Sequence, residues 1–281
     1  MPIYKCPLCS ESLTLEQRSY LCENKHCFDI AKEGYVNLLP VQSKKSKNPG
    51  DSKAMLVSRQ QFLRQGYYDF LVRDIADLIR QHGATRGKVD LLDMGCGEGY
   101  YSEQLAEDNQ QLNITAVDIA KEAARMTAKR KAANQVSVAN TFDLPFFDQS
   151  FDYALSVFSP LSGKETARIL KPGGVLLVVG PGENHLRGLV EHIYKQPMGH
   201  KGNPQALDDT DSLACLEQKA LVDDIVVSGD HIQDLLAMTP YYWQCTPEQQ
   251  AALGAMAEIK TCLEFSISIY RNISPPINQT V

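Results

Sequence analysis

Cysteine and histidine side chains near the N-terminus are spaced as the ligands of a metal ion would be. Cys6 and Cys9 form a CxxC pair, and twelve residues separate Cys9 from Cys22, which precedes the adjacent His26 and Cys27. A tight turn can present two thiolates to one tetrahedral zinc ion, and a neighbouring hairpin can supply the second pair of ligands. His26 and Cys27 are adjacent and cannot both bind the ion without distortion. We favour His26 as the fourth ligand, because sets of three cysteines and one histidine are common in such modules. A segment with so few apolar residues depends on its metal to fold, so we predict structural zinc rather than four unrelated buried thiols.

A glycine-rich loop is the second feature of the sequence that predicts chemistry. Residues 92–100 read LDMGCGEGY, which places Gly95, Gly97 and Gly99 in a G-x-G-x-G pattern just after Asp93. Glycines let the backbone turn sharply and approach a ligand at the N-terminal end of a helix. Dinucleotide-binding loops have the spacing G-x-G-x-x-G, so a nicotinamide dehydrogenase is the less favoured interpretation.

Polar residues at the ends of the next two predicted strands extend the ligand site. Asp118 can accept hydrogen bonds from two ribose hydroxyls, and Asn140, which is followed by the segment 144–146, is within reach of an adenine. Together with the loop, these residues resemble the Rossmann-like methyltransferases that use S-adenosylmethionine. The resemblance implies that the glycine loop, including Gly95, holds the methionine part, while Asp118 holds the ribose and Asn140 lines the adenine.

Alternating strands and helices are predicted to position these residues. Apolar side chains at helical spacing occupy 55–82, and short apolar runs separated by helical stretches then indicate a parallel sheet with helices on both faces. Two later strands with alternating patterns suit the edge of that sheet, one of them antiparallel. We therefore expect an α/β fold, a Rossmann-like class I methyltransferase with a mostly parallel seven-stranded sheet and a small N-terminal zinc-ribbon-like module. The predicted strands are 89–94, 113–118, 135–140, 151–158, 173–180, 223–230 and 263–270.

Length and composition indicate one catalytic domain with a small module attached. The chain has 281 residues, of which 43% are hydrophobic and 22% charged, as is ordinary for globular proteins. The polar segment 41–54, which contains Pro49 and Gly50, predicts a linker between a zinc-binding module at 1–40 and a methyltransferase domain at 55–281. The sequence has no apolar run of about 18 residues and no secretory-signal pattern, so we expect a cytoplasmic protein without a membrane span.

The charge of the chain bears on whether its partner is a nucleic acid. A formal net charge of −6 counts mildly against one, but a local basic patch can still contact phosphates. For any single lysine of the linker, a solvated side chain is an equally good interpretation. The candidate residues are Lys44, Lys45 and Lys47 in the linker, and Lys121, Arg125, Lys129, Arg130 and Lys131 on one predicted helix.

Stretches distributed along the whole chain resemble the RlmA family of 23S rRNA (guanine-N1-)-methyltransferases. They are CPLCSESL, CENKHCFDIAKEGYVNLLP, NPGDSKAM, LDMGCGEGYY, LKPGG, GPGENHL and MTPYYW. The portion FDIAKEGYVNLLP, residues 28–40, is absent from generic methyltransferases. The resemblance implies methylation of guanine N1 in the helix 35 hairpin of 23S rRNA and suggests a homodimer. The sequence looks closer to the branch that modifies position 745 than to the one that modifies 748, and both positions stay open.

The same resemblance implies particular ligands for the zinc ion and the cofactor. Cys27 departs from the family pattern, which leaves the choice between His26 and Cys27 open. On spacing alone, Tyr68 could equally be a core residue, and His185 could be a solvated residue at the start of a helix. The implied zinc ligands are Cys6, Cys9, Cys22 and His26, and the implied cofactor contacts are Gly97, Glu98, Tyr68 and His185.

A pocket for the target base is expected after the fourth predicted strand, where Phe158, Ser159 and Pro160 follow one another. Related enzymes hold the target base at this place. We expect Ser159 and Pro160 to line the pocket through backbone groups and Phe158 to stack on a base splayed out of an RNA loop. No residue type or spacing identifies the group that accepts the N1 proton of guanine.

Two other functions compete with rRNA methylation. A methyltransferase for a small molecule, such as a quinone or lipid precursor, would share the cofactor core, but the zinc module argues against it. A non-catalytic RNA-binding protein would have no need of the intact glycine loop with Asp118.

Overall fold

The computed structural model describes residues 4–43, 49–82, 87–194, 207 and 209–276. Its N-terminal part is a small antiparallel sheet of three short strands, β1 (Thr14–Glu16), β2 (Ser19–Leu21) and β3 (Cys27–Asp29). All side chains of these strands are exposed or half-buried. The small sheet therefore gains little from apolar burial of its own, and a bound metal ion and the main domain must stabilise it.

A sheet of eight strands forms the centre of the main domain. Its strands are β4 (Tyr35–Asn37), β5 (Val89–Met94), β6 (Leu112–Asp118), β7 (Gln135–Val138), β8 (Phe151–Val157), β9 (Leu170–Pro181), β10 (Leu213–Ser228) and β11 (Glu258–Asn272). They lie in the order β10-β11-β9-β8-β5-β6-β7-β4. Neighbours from β4 to β9 are parallel, whereas β11 is antiparallel to both β9 and β10. The predicted mostly parallel sheet with an antiparallel edge is confirmed.

Helices connect the strands and supply much of the core. In α2, the residues Leu71, Ile75, Leu78 and Ile79 share one face and are buried, as the helical spacing of the sequence predicts. In the part of the chain that the structure describes, no helix has the length and apolar character needed to cross a membrane. The α-helices are α1 (Lys53–Leu63), α2 (Asp69–His82), α3 (Tyr100–Asp108), α4 (Lys121–Arg130), α5 (Gly163–Ile169), α6 (Arg187–Glu191), α7 (Gly229–Ala237) and α8 (Pro247–Gly254).

The sheet has one strand more than the seven predicted, because β4 adds to its edge. Tyr35 pairs with Val136 and Asn37 with Val138 in parallel register, and the Leu38 amide donates to the Val138 carbonyl at 3.0 Å. A strand of three residues is too short for its alternation to be recognised in a sequence. The segment 1–40, predicted as a separate zinc-binding module, therefore contributes a strand to the main sheet.

The N-terminal module also packs directly on the segment that follows β7. The Tyr4 ring is 1% exposed and stacks on Phe146 with 5.3 Å between ring centroids. The Lys5 amide donates to the Pro145 carbonyl at 2.9 Å. Together with β4, these contacts hold the module against the β7 side of the sheet.

The antiparallel edge is a long hairpin that the sequence predicts only in part. Strands were expected at 223–230 and 263–270, but the pairing of β10 with β11 extends from Ser228 opposite Glu258 to Leu213 opposite Asn272. The last two residues of the first predicted strand, 229–230, belong instead to the start of α7. Most side chains of β10 are exposed or half-buried. The part of β10 before residue 223 therefore lacks the alternation of buried and exposed side chains by which a strand is recognised in a sequence.

Candidate active site and zinc centre

Three cysteines and one histidine converge beside the small sheet. Cys22 follows β2 and His26 precedes β3, so the hairpin brings them to the turn that carries Cys6 and Cys9. The Sγ atoms of Cys6 and Cys22 lie 3.5 and 3.4 Å from His26 Nδ1, and the Sγ atoms of Cys9 and Cys22 are 3.7 Å apart. Tetrahedral zinc with bonds of about 2.3 Å to sulfur and about 2.0 Å to nitrogen needs ligand atoms about 3.5–3.8 Å apart. The donor set and its dimensions fit a closed, structural zinc site.

Cys27 lies outside this cluster. Its side chain is exposed, and its Sγ is 3.8 Å from the Asp29 carboxylate. Successive residues of an extended segment point to opposite sides, so His26 and Cys27 cannot both face the same ion. The structure thus brings together the predicted zinc ligands Cys6, Cys9, Cys22 and His26, and Cys27 is not among them.

The glycine loop between β5 and α3 has backbone conformations that glycine adopts far more readily than other residues. The φ angles of Gly95, Gly97 and Gly99 are 76°, 56° and 88°. A Cβ on Gly95 would lie 1.9 Å from Ser159 Oγ. The absence of a side chain at this position therefore allows the loop to approach the segment that follows β8.

The carboxylate of Asp118 is fixed at the end of β6. Its Oδ2 accepts the Gly97 amide at 2.9 Å and its Oδ1 accepts the Ala120 amide at 2.7 Å. Burial raises the pKa of Asp118 to about 6, against the lowering effect of these two hydrogen bonds. The group is held in one orientation beside the glycine loop, as an acceptor for ribose hydroxyls would need to be.

Two further buried acids belong to the same loop. Ser102 donates to Asp93 at 2.6 Å, and burial raises the pKa of Asp93 to about 6. Glu98 is 1% exposed and lies 2.6 Å from the Arg130 guanidinium, which also pairs with Glu103. Burial raises the pKa of Glu98 to about 7, and the charge of Arg130 opposes this rise.

These ion pairs change the interpretation of the basic helix. Arg130 is buried in its pairs, so it is not available as an RNA contact in the way a surface patch requires. Arg125 is half-buried and pairs with Glu122 at 2.7 Å. Lys121, Lys129 and Lys131 remain exposed, while Lys44, Lys45 and Lys47 lie outside the described residues.

Tyr68 and His185 meet although they are distant in sequence. The Tyr68 hydroxyl is 3.4 Å from His185 Nε2, and both side chains are buried. The ring of Phe265, on β11, is 5.0 Å from each of the two rings. The sequence alternative of a solvated His185 does not hold.

Phe158 has an unusual backbone for a bulky residue, with a φ of 53°. Its amide donates to the Val179 carbonyl at 2.8 Å, which holds this conformation at the end of β8. The side chain is 45% exposed, and its ring lies 5.5 Å from that of His185. An aromatic ring in such a conformation, partly open to solvent, is suited to contact a ligand.

A cavity of about 1250 Å³ joins these groups. All the predicted cofactor and base-pocket residues line it. They are Tyr68, Gly95, Gly97, Glu98, Asp118, Asn140, Phe158, Ser159, Pro160 and His185. This volume exceeds that of many small-ligand pockets, so there is room for a second reactant beside a cofactor.

The cavity is also lined by residues that the site predictions did not include. Gly50, Asp51 and Arg59 come from the predicted linker and from α1, and Met238 and Tyr241 come from the segment after α7. For Gly50, Asp51, Met238 and Tyr241 the only signal was that the stretches NPGDSKAM and MTPYYW belong to the family resemblance, and Arg59 lies outside both stretches. Neither stretch has a spacing that reveals a binding role.

Comparison with known proteins identifies both parts of the chain. A family model described as "RlmA, N-terminal" matches residues 4–47, and one described as "Methyltransferase domain" matches residues 92–178. These matches confirm the predicted class I methyltransferase fold with its N-terminal zinc ribbon. With the cysteine and histidine cluster, they also confirm the predicted cofactors, S-adenosylmethionine and structural zinc.

Relatives extend over the full chain. The 23S rRNA (guanine(748)-N(1))-methyltransferase of Streptomyces fradiae is 30% identical over 275 residues, which are 97% of this chain and 96% of that protein. YxjB of Bacillus subtilis (strain 168) is 28% identical over 276 residues, 95% of this chain and 96% of that protein. Among solved structures, the [4+2]-cyclase SpnF is 19% identical with a TM-score of 0.48, covering 72% of this chain and 82% of its own.

Proposed function

Because the chain belongs to the RlmA family of 23S rRNA (guanine-N1-)-methyltransferases, we propose that it methylates N1 of a guanine in the helix 35 hairpin of 23S rRNA. The position proposed from the sequence is 745, and the name of the Streptomyces fradiae relative makes 748 the competing position. The observation that carries the proposal is the single cavity lined by both the predicted cofactor residues and the predicted base-pocket residues.

The proposed cofactor half of the cavity is the glycine loop with the ends of β6 and β7. Gly95 and Gly97 let the backbone approach the methionine part, and the fixed carboxylate of Asp118 accepts hydrogen bonds from the ribose. Asn140 accepts the Phe142 amide at 3.1 Å through Oδ1, which leaves its Nδ2 group to donate to an adenine ring nitrogen. S-adenosylmethionine supplies a methyl group on a sulfonium, which is already a good electrophile.

The proposed target half is formed by Phe158, Ser159 and Pro160. A guanine taken out of an RNA loop would stack on the exposed face of Phe158, between the glycine loop and His185. The role of these residues is to hold N1 in line with the bond that breaks and to exclude water. The contact of Gly95 with Ser159 fixes the spacing between the two halves.

The zinc module is proposed to hold the RNA beside this cavity. It packs on Pro145 and Phe146, a few residues after Asn140 and Phe142, which line the cavity. We further propose that Lys44, Lys45 and Lys47 contact phosphates. Replacing all three by Gln should weaken RNA binding and lower the slope of log K against log salt by about two, at about 0.7 per phosphate of single-stranded RNA.

A matched triple variant tests which lysines are used. Lys121, Lys129 and Lys131 are the exposed lysines of α4 and its C-terminal cap, and replacing them by Gln removes the same charge elsewhere. If only this control changed the salt slope, the phosphate contacts would lie on α4 and the proposal for the linker would be wrong.

The deciding experiment is transfer of a labelled methyl group from S-adenosylmethionine to 23S rRNA that lacks the modification, with the product mapped by mass spectrometry. One 1-methylguanine at position 745 is the expected result, and one at 748 would move the assignment to the other branch. Transfer to a small acceptor, with none to rRNA, would favour the alternative function, a methyltransferase for a small molecule such as a quinone or lipid precursor. Asp118→Ala is the negative control, because it removes the proposed ribose acceptor.

An rRNA substrate is consistent with a cytoplasmic protein, which is the location proposed here. The family resemblance also leads us to propose a homodimer. Light scattering of the purified protein tests it, since a monomer has a mass of 31.2 kDa and a dimer twice that.

A further inference from the structure

The cofactor cavity is lined by several acidic side chains and by an arginine. Asp51, Asp93, Glu98 and Asp118 line the cavity, and Arg59 is the only lysine or arginine that lines it among the described residues. The methionine part of S-adenosylmethionine carries an ammonium and a sulfonium, which these acids favour. It also carries a carboxylate, which they repel.

Four amides of the glycine loop already have acceptors within the protein. Gly95 and Cys96 donate to the Val117 carbonyl, Gly97 donates to Asp118, and Gly99 donates to the Cys96 carbonyl. A glycine loop at a helix N-terminus usually binds anions through such amides. Here these four amides are already used, so a side-chain donor beside the loop is a candidate to bind the carboxylate.

Arg59 is positioned to supply that donor. Its Nη1 atom lies 3.4 Å from the point where a Cβ on Gly97 would project, so the guanidinium faces the loop where the chain has no side chain. The positive charge of Arg59 also opposes the burial that raises the pKa of both Glu98 and Asp118. Arg59 is therefore within electrostatic reach of Glu98 in the loop and of Asp118 beside it.

The Arg59 guanidinium is held in place by two contacts and retains N–H donors for a ligand. Its Nη1 pairs with Asp51 at 2.6 Å, and its Nη2 donates to the Met238 carbonyl at 3.3 Å. An arginine has five N–H groups, so these two contacts leave about three for a ligand. A planar guanidinium can bind a carboxylate through two parallel hydrogen bonds.

We propose that Arg59 binds the carboxylate of the methionine part of S-adenosylmethionine and so selects adenosine sulfonium ligands that carry an amino acid. This inference rests on the proposed cofactor site and adds to it a residue of α1. It assigns a residue in the middle of α1 to ligand binding, whereas the sequence predicts only a helix there.

The test compares two ligands that differ only in the carboxylate, S-adenosylmethionine and decarboxylated S-adenosylmethionine, by titration calorimetry. A charged hydrogen-bonded pair predicts that Arg59→Leu weakens S-adenosylmethionine binding by about 10- to 100-fold. Binding of the decarboxylated ligand should change less than about twofold, and Arg59→Lys should recover part of the loss. Arg64→Leu, which removes an exposed arginine just after α1, is the matched control and should leave both affinities unchanged.

Two results would overturn the inference. Equal weakening of both ligands would mean that Arg59 only ties α1 to Asp51 and Met238, and unchanged binding of both would mean that it does not contact the ligand. Wild-type protein that binds S-adenosylmethionine in preference to the decarboxylated ligand, yet transfers no methyl group to rRNA, would refute the proposed function while the Arg59 site stands.

Discussion

Replacing Gly95 by alanine should disrupt the site, and removing the Ser159 side chain from the same protein should restore much of what is lost. An alanine Cβ would lie 1.9 Å from Ser159 Oγ and 2.5 Å from Ser159 Cβ, at a φ of +76°. Only the Ser159 side chain is too close, because the Ser159 Cα is 3.8 Å away. The steric part of the effect can therefore be removed by one further substitution, Ser159→Gly.

The expected magnitude has two parts. A left-handed conformation costs alanine about 1–2 kcal/mol relative to glycine, and an overpacked contact costs about 1–3 kcal/mol. Gly95→Ala alone should therefore lower the free energy of unfolding by about 2–5 kcal/mol. In the double variant only the conformational part remains, so the two substitutions should couple by about 1–3 kcal/mol.

Urea unfolding of the wild type, both single variants and the double variant measures this coupling. Gly99→Ala is the control: its Cβ would lie 2.9 Å from Thr127 Oγ1 and 3.1 Å from Thr127 Cα, at a φ of +88°, so Ser159→Gly should not rescue it. Additivity of Gly95→Ala and Ser159→Gly to within about 0.5 kcal/mol would refute the contact. Rescue of Gly99→Ala would show that Ser159→Gly stabilises the protein in some unrelated way.

Three further predictions concern the zinc, the cofactor and the base. His26→Ala should release zinc from the purified protein and Cys27→Ser should not, as metal analysis will measure, because only His26 lies with the other ligands. The apparent Kd for S-adenosylmethionine should rise about tenfold from pH 7.5 to pH 5, because Asp118 has a pKa of about 6 and only its ionised form accepts both amides and ribose hydroxyls. Phe158→Ala should raise the KM for rRNA and leave the Kd for the cofactor within about twofold, since a lost base stack costs about 1–3 kcal/mol.

Each of these predictions has a result that contradicts it. Zinc loss from Cys27→Ser would reverse the choice of the fourth ligand. A pH profile for Asp118→Asn as steep as that of the wild type would assign the titration to Asp93 or another acid. Full RNA affinity and transfer rate in Phe158→Ala would remove Phe158 from the base pocket.

Spacing and strand order predict the parts of the site in which neighbours along the chain are also neighbours in space, whereas Tyr68 and His185, which are 117 positions apart, were predicted only from the family resemblance. The glycine loop joins one strand to one helix, and Asp118 ends the adjacent parallel strand, so strand order alone brings them together. The cluster of Cys6, Cys9, Cys22 and His26 is local in the same sense, since one turn and one hairpin complete it.

The parts that sequence reasoning missed depend on contacts across long distances in the chain. Arg59 reaches the glycine loop only because α1 packs beside it, and its contact with Met238 joins residues 179 positions apart. Nothing in the spacing of α1 distinguishes this arginine from Arg64, which is exposed. A charged residue at a helical position is by default assigned to solvent, and only the fold shows the exception.

The position of β4 explains why a structural zinc site belongs in this enzyme. β7 lies between β6, which ends at Asp118, and β4, which comes from the N-terminal segment. The turn after β7 carries Asn140, and the segment beyond it is held by Tyr4 through Phe146. The part of the cofactor cavity proposed to hold the adenine therefore lies between the sheet and the zinc module, and the module has little apolar core of its own. Zinc that orders the module also orders that side of the cavity, so a metal that takes no part in methyl transfer can still determine where the cofactor and the RNA meet.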